Sequence, residues 1–138
     1  MKTNKITVQA DIAATTKKVW DYYTKPEHIT LWNFASSDWC CPKAENDLRA
    51  GGKFGARMEA KDGSFGFDFE AIYDEVNELE NFTYTLTDYR KVTFKLENLS
   101  EKIRTTVTFD AESENSEEMQ REGWQAILNN FKKYVESH

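Results

Sequence analysis

Residues 82–110 read FTYTLTDYRKVTFKLENLSEKIRTTVTFD, and their periodicity decides the fold. Phe82, Tyr84 and Leu86 alternate with Thr83, Thr85 and Thr87. Val92, Phe94 and Leu96 alternate with Lys91, Thr93, Lys95 and Glu97, and Ile103, Thr105, Val107 and Phe109 with Arg104, Thr106, Thr108 and Asp110. A period of two, repeated between short polar turns, predicts consecutive antiparallel strands. One face of each is aromatic or aliphatic and the other is Thr, Lys and Glu, so the sheet is covered on one side and wet on the other.

The same pattern extends toward the N-terminus. Lys53 to Ala60 places Phe54, Ala56 and Met58 on one face, and Lys61-Asp62-Gly63-Ser64 supplies a turn. Phe65, Phe67 and Phe69 follow, alternating with Gly66, Asp68 and Glu70, which puts these two carboxylates on the solvated face. Ile6 to Ala10 predicts a first strand. Between it and the rest, Thr15 or Thr16 caps a short helix carrying Val19, Trp20, Tyr22 and Tyr23, and Pro26 opens another over Glu27 to Trp32. Residues 33–46 show no period and are expected to be irregular.

Beyond residue 110 the period changes to that of a helix. Trp124, Ile127, Leu128, Phe131 and Val135 fall on one stripe, predicting a helix over about 117–136. Asn115 with Glu118 suits its start, with further acids at 117 and 122, and Lys132 and Lys133 suit its end. Gly123 interrupts the stripe, and close approach of the helix to a bulky sheet residue is the expected reason, so that Gly123→Leu would lose stability. The stripe needs an apolar partner, and the aromatic face of the sheet is large enough. The fold class is α+β: a curved antiparallel sheet of six to seven strands around a long C-terminal helix, with two short helices after the first strand, in a single domain over residues 1–138.

Composition narrows the function. The 138 residues carry 4 Trp, 6 Tyr and 9 Phe, which excludes a disordered chain. A net charge of -6 with no basic run disfavours nucleic acid and anionic membranes as partners. No apolar stretch approaches a membrane span and no apolar signal core opens the chain, so cytoplasmic residence is expected. Cys40 and Cys41 are neighbours, expected to be reduced thiols. With two His, one of them His138, the ligand count is too low for a metal site, and no cofactor or catalytic constellation is expected. His28 reads as structural or solvated, and Gly51-Gly52, lacking the lysine of a phosphate loop, as a turn.

Several motifs carry a family likeness. Val19-Trp20-Asp21, followed by Thr24-Lys25-Pro26-Glu27-His28-Ile29 and Trp32, resembles the opening of the heat-shock protein 90 ATPase activator homologues. These are a branch of the SRPBCC superfamily of START and birch-pollen-allergen folds. Asp47-Leu48-Arg49-Ala50-Gly51-Gly52-Lys53-Phe54, Phe67-Asp68-Phe69-Glu70 and Arg121-Glu122-Gly123-Trp124 resemble later motifs of that branch, in the same order. The chain departs from the pattern at Leu86, where many relatives have Trp, and at Asp88-Tyr89-Arg90, where many have an Asp-Gly turn. The resemblance implies a seven-stranded helix-grip fold, with a short extra strand over Leu48 to Ala50.

Two functions follow as expectations. The first is binding of a small apolar or aromatic molecule between sheet and helix. Trp32, Phe34 and Trp39 would stand at the mouth, and Met58, Phe67, Phe69, Tyr84, Phe94, Trp124 and Leu128 would form walls, with the Tyr84 hydroxyl orienting the guest. The second, by analogy with the family, is a co-chaperone that stimulates a heat-shock chaperone's ATPase. The eukaryotic activators carry an additional N-terminal domain, for which 138 residues leave no room. An enzyme acting on an aromatic or polyketide-like molecule is a third reading.

Overall fold

Strand β1 (Lys5–Ile12) opens the computed structural model, which describes residues 4–138. Helices α1 (Thr16–Thr24) and α2 (Pro26–Ile29) follow. Then come β2 (Trp39–Asn46), β3 (Lys53–Ala60), β4 (Gly66–Asn77), β5 (Asn81–Leu86), β6 (Lys91–Asn98), β7 (Ile103–Asp110) and α3 (Glu117–Ser137). Among the described residues seven strands form one antiparallel sheet in the order β1-β7-β6-β5-β4-β3-β2. Strands β2 to β7 are a plain meander. The two short helices carry the chain from β1 across to the far edge, so that β7 returns beside β1, with Lys5 opposite Asp110 and Ile12 opposite Ile103.

The period-two pattern becomes the two faces of this sheet. Every odd residue of β7, from Ile103 to Phe109, is buried. So are Ile6, Val8, Ala10 and Ile12 of β1, and Phe82, Tyr84 and Leu86 of β5. Helix α3 lies over β1 and touches α1, setting Leu128, Phe131 and Val135 into the core. The outer face carries hydroxyl pairs such as Thr83–Thr93 and exposed ion pairs such as Arg57–Asp68 and Lys53–Glu70. The last two account for the carboxylates of Asp68 and Glu70. Exposed pairs of this kind are worth about 0–1 kcal/mol each and serve solubility more than stability.

The first helix starts as its sequence indicates, with Thr15 Oγ1 accepting from the Lys18 N–H at 3.2 Å. Pro26 occupies the first turn of α2, where its missing N–H costs nothing. This helix is a single turn, shorter than Glu27 to Trp32.

Five further sequence expectations are corrected. Residues 33–46 are not wholly irregular: 39–46 form the edge strand β2, whose register against β3 shifts between Cys40 and Lys43. Pro42 falls at that shift, where a residue without an N–H does least harm. With Cys41 its one fully buried residue, this edge strand has no alternating apolar signature. Leu48 to Ala50 form no strand but a turn closed by Gly51, at φ 84°, and Gly52. A Cβ on Gly52 would stand 2.0 Å from the Asp47 carbonyl oxygen, so only glycine fits. Helix α3 is capped by Ser116, whose Oγ accepts from the Met119 N–H at 3.1 Å, and not by Asn115. It runs to Ser137, leaving Lys132 and Lys133 one turn short of its end; Lys132 instead donates to the Asp11 carbonyl. Finally, Gly123 touches nothing: a Cβ there meets no atom within 4 Å.

Candidate ligand cavity

Toward its N-terminal half α3 stands away from the sheet, and a cavity of about 330 Å³ opens between them. Its helix side is Gln120, Trp124, Ile127 and Leu128. Its sheet side is built from Phe54 and Met58 of β3, Phe67, Phe69 and Tyr73 of β4, Phe82 and Tyr84 of β5, and Val107 of β7. Tyr23 of α1 and Trp32 and Asn33 after α2 close the inner end. Arg90, Glu112 and Asn115, from the loops before β6 and α3, bring polar atoms to its border.

The aromatic walls brace one another. Trp124 stacks on Phe109 at 4.1 Å and 15°. Phe54 and Tyr84 lie parallel at 5.6 Å, and Phe69 meets Tyr84 and Trp124 edge-on at 6.2 Å. Tyr23 is sandwiched between Phe94, at 4.0 Å, and Trp32, at 4.9 Å. Rings held in this way at several edges resist collapse into the space between them.

Polar groups fix the frame. Trp32 Nε1 donates to the Tyr22 carbonyl at 2.9 Å, and Asn130 Nδ2 to the Trp32 carbonyl at 2.7 Å. Gln120 is buried and fully engaged: its Oε1 accepts from the Glu112 N–H, and its Nε2 donates to the Glu112 and Asn115 carbonyls. This one side chain pins the loop leading into α3 at the cavity border. The Gly51 N–H donates to the Tyr73 carbonyl and the Tyr73 N–H to the Gly52 carbonyl, at 2.8 and 2.9 Å. The glycine turn thereby holds β4 where its register shifts, between Tyr73 and Glu75, and sets the Tyr73 ring inward. Burial pushes the phenols of Tyr23, Tyr73 and Tyr84 above their ordinary value of 10.0, so all three are neutral near pH 7.

The residues expected to contact a guest divide as follows. Trp32, Met58, Phe67, Phe69, Tyr84, Trp124 and Leu128 all line the cavity, Trp32 as a buried wall and not at the mouth. Phe94 lies behind Tyr23 in the core and does not reach the space. Phe34 and Trp39 lie outside it as well. Trp39 forms a partly open cluster with Phe65 and Phe67, the rings 6.0 to 6.2 Å apart. The lining also includes residues outside that expected set, Tyr23, Phe54, Tyr73, Phe82, Gln120 and Ile127 among them; Tyr73 precedes a bulge that breaks the alternation, and Gln120 is polar on an apolar stripe. Its place four residues before Trp124 was the available signal.

Other groups take no part in the cavity's chemistry. His28 Nδ1 lies 2.7 Å from the Tyr134 hydroxyl, and its ring stacks on Tyr22 at 3.9 Å. Burial pushes the Cys41 thiol up, which disfavours a thiolate. Among the described residues no three His, Cys, Asp or Glu side chains gather around a common point. Also among them, no helix is long and apolar enough to cross a membrane.

The family model described as "Activator of Hsp90 ATPase homolog 1-like protein" matches residues 13–136. The chain belongs to this family. A solution structure of the AHSA1-like protein from Aeromonas hydrophila is 38% identical, with a TM-score of 0.91 over 97% of this chain and 93% of that one. The solution structure of Chr148 from Cytophaga hutchinsonii is 45% identical, with a TM-score of 0.84 over 96% and 92%. Protein CV1439 from Chromobacterium violaceum, at 23% identity and a TM-score of 0.86 over 96% and 98%, shares the fold. No curated protein matches the chain. The helix-grip architecture of the family, a curled seven-stranded sheet with a long C-terminal helix and short helices after the first strand, is the one described above.

Proposed function

We propose that this protein is a small-molecule-binding module that holds an apolar or aromatic guest between the sheet and α3. The observation that carries the reading is the cavity itself: about 330 Å³, walled by rings that prop one another apart. That volume lies at the lower end of the roughly 300–1,000 Å³ of small-molecule sites. A domain with no use for such a space gains about 0.8 kcal/mol for each further methylene it buries, so an unfilled cavity is a cost without a guest. The net charge of -6 disfavours an anionic guest, and the apolar lining with its neutral phenols favours an apolar or aromatic one.

The test is a fluorescence titration against flavonoids, fatty acids and polyketide-like aromatics, since Trp32 and Trp124 both line the space. A saturable change is expected for at least one class, and Trp124→Phe should shrink it while the melting temperature is largely kept. The family's name supplies the second reading, stimulation of a heat-shock chaperone's ATPase. No response across the panel, with clear stimulation in a parallel ATPase assay, would replace the first reading by the second.

A further inference from the structure

The inner face of the sheet does not stop at the cavity. Phe67 lines the cavity and is also 42% exposed, so it stands at the mouth. From there an aromatic shelf runs outward over the ends of three strands. Met58 of β3 lies opposite Phe67, and the same register carries on to Ala60, whose N–H donates to the Phe65 carbonyl at 2.9 Å. On its other side Ala60 lies opposite Trp39 of β2. Ala60 alternates with Met58, so Trp39, Ala60 and Phe65 form the next row on the cavity's own face. The small Ala60 lets the rings on either side of it approach. Trp39 and Phe65 are 6.0 Å apart and edge-on, and Phe67 closes the triangle at 6.2 Å from Trp39 and 6.0 Å from Phe65. The shelf is held in place: the Lys61 N–H donates to the Asp38 carbonyl at 2.8 Å, and within the turn the Ser64 N–H donates to Asp62 Oδ1 at 2.8 Å. Phe65 nevertheless keeps 60% of its surface exposed. Apolar rings fixed in the open beside a cavity mouth are the mark of a contact surface.

We propose that Trp39, Phe65 and Phe67 form an outer subsite, which holds a second aromatic ring of an elongated guest where it projects from the mouth. The inference rests on the reading of the cavity as a ligand site and adds the extent and chemistry of its guest. Tyr23 and Trp32 close the inner end, so a guest longer than the cavity extends past Phe67. Because Phe67 belongs to both surfaces, a ring leaving the cavity beside it meets Phe65 and Trp39 next. A further ring packs edge-to-face or offset on such a cluster, and the fixed hairpin spares it the cost of ordering the site. A protein partner fits less well. A stable interface takes about 20–30 residues a side, far more than these three side chains.

The test uses the whole chain and two neutral fluorescent probes. One is 1,6-diphenylhexatriene, a rod with a phenyl group at each end, and the other is N-phenyl-1-naphthylamine, which is compact. Phe65→Ser should weaken the rod by about two- to tenfold, as the loss of one aromatic contact implies. It should leave the compact probe unchanged, because Phe65 does not line the cavity. A readout that needs no variant is the amide spectrum of the ¹⁵N-labelled protein. The Ala60 and Phe65 signals should shift with the rod and not with the compact probe. Equal weakening of both probes, or a rod that ignores Phe65→Ser and leaves both signals in place, would overturn the subsite and leave the binding module standing. Dimerisation abolished by Phe65→Ser would overturn it as well, and assign the shelf to a second copy of the chain. Binding of neither probe would overturn the subsite and remove aromatic guests from the module's reading, while the fatty-acid titration would still judge the module.

Discussion

Gly123→Ala should stabilise the protein. The residue lies inside α3, and its φ is not among the positive ones. Glycine in a helix interior costs about 1 kcal/mol relative to alanine, through backbone entropy. The added methyl group would meet no atom within 4 Å, so no clash offsets the gain. The expected change is therefore about +1 kcal/mol, or roughly 3–5 °C in Tm for a chain of this length. In urea, with a slope of about 1–3 kcal/mol/M, the midpoint should rise by about 0.3–1 M at constant slope. Gly52→Ala is the matched control. There the Cβ would stand 2.0 Å from the Asp47 oxygen, and a clear loss of stability is expected. Both variants can be followed by circular dichroism on heating and in urea. A fall in Tm for Gly123→Ala would refute the reasoning, because it would require a neighbour closer to α3 than the structure places one. The position also lies on the flank between Gln120 and Ile127, which both line the cavity. What the missing side chain leaves open is space beside the cavity, not room for a tight helix–sheet contact.

Two further outcomes concern the ends of the fold. Ser116→Ala should cost about 1 kcal/mol by removing the cap of α3, whereas Asn115→Ala should cost little, because the hydrogen bonds of Asn115 use its backbone atoms; urea midpoints would separate the two. In acid, the Arg104 hydrogen bond holds the Asp11 carboxyl below its ordinary 3.8, so its share of stability is present above that value and is lost as pH falls through the folded one. Asp11→Asn should therefore flatten the decline of Tm between about pH 4 and pH 2, and an unchanged slope would show that the pair does not contribute.

The parts of this fold legible in the sequence are those with one dry face. β7 shows it best: Ile103, Thr105, Val107 and Phe109 face the core with no exception, and their alternation predicts the strand residue for residue. β2 is the opposite case. Only Cys41 among its eight residues is buried, so Trp39-Cys40-Cys41-Pro42 carries no period to read. Tyr73 is hidden for a different reason. It belongs to the inner face of β4, but the register shift after it places Glu75 and Val76 out of phase. The cavity was legible only in its aromatic content. Phe94 and Tyr84 both alternate correctly and are both buried, yet one fills the core and the other lines the space. The choice between them depends on how far α3 stands from each strand, which no local pattern encodes. Gly123 misled for the same reason, since a helical glycine marks either close approach or vacancy, and the sequence does not say which.

That distance explains how one helix serves two ends. Along α3 the apolar stripe changes character. Phe131 and Val135 are 0% exposed and sit over β1 and against α1, while Trp124 and Ile127 are only partly buried and border the cavity. The C-terminal half supplies stability: removing a buried phenylalanine such as Phe131 costs about 3–5 kcal/mol. The N-terminal half supplies space. It can stand off the sheet without falling onto it because Trp124 rests flat on Phe109 and Gln120 ties the loop before it by three hydrogen bonds. Inward-facing phenylalanines and tyrosines of β3 to β5 stiffen the opposite wall in the same manner. The fold is thus anchored at one end of the helix, which leaves the other free to be shaped by what it encloses.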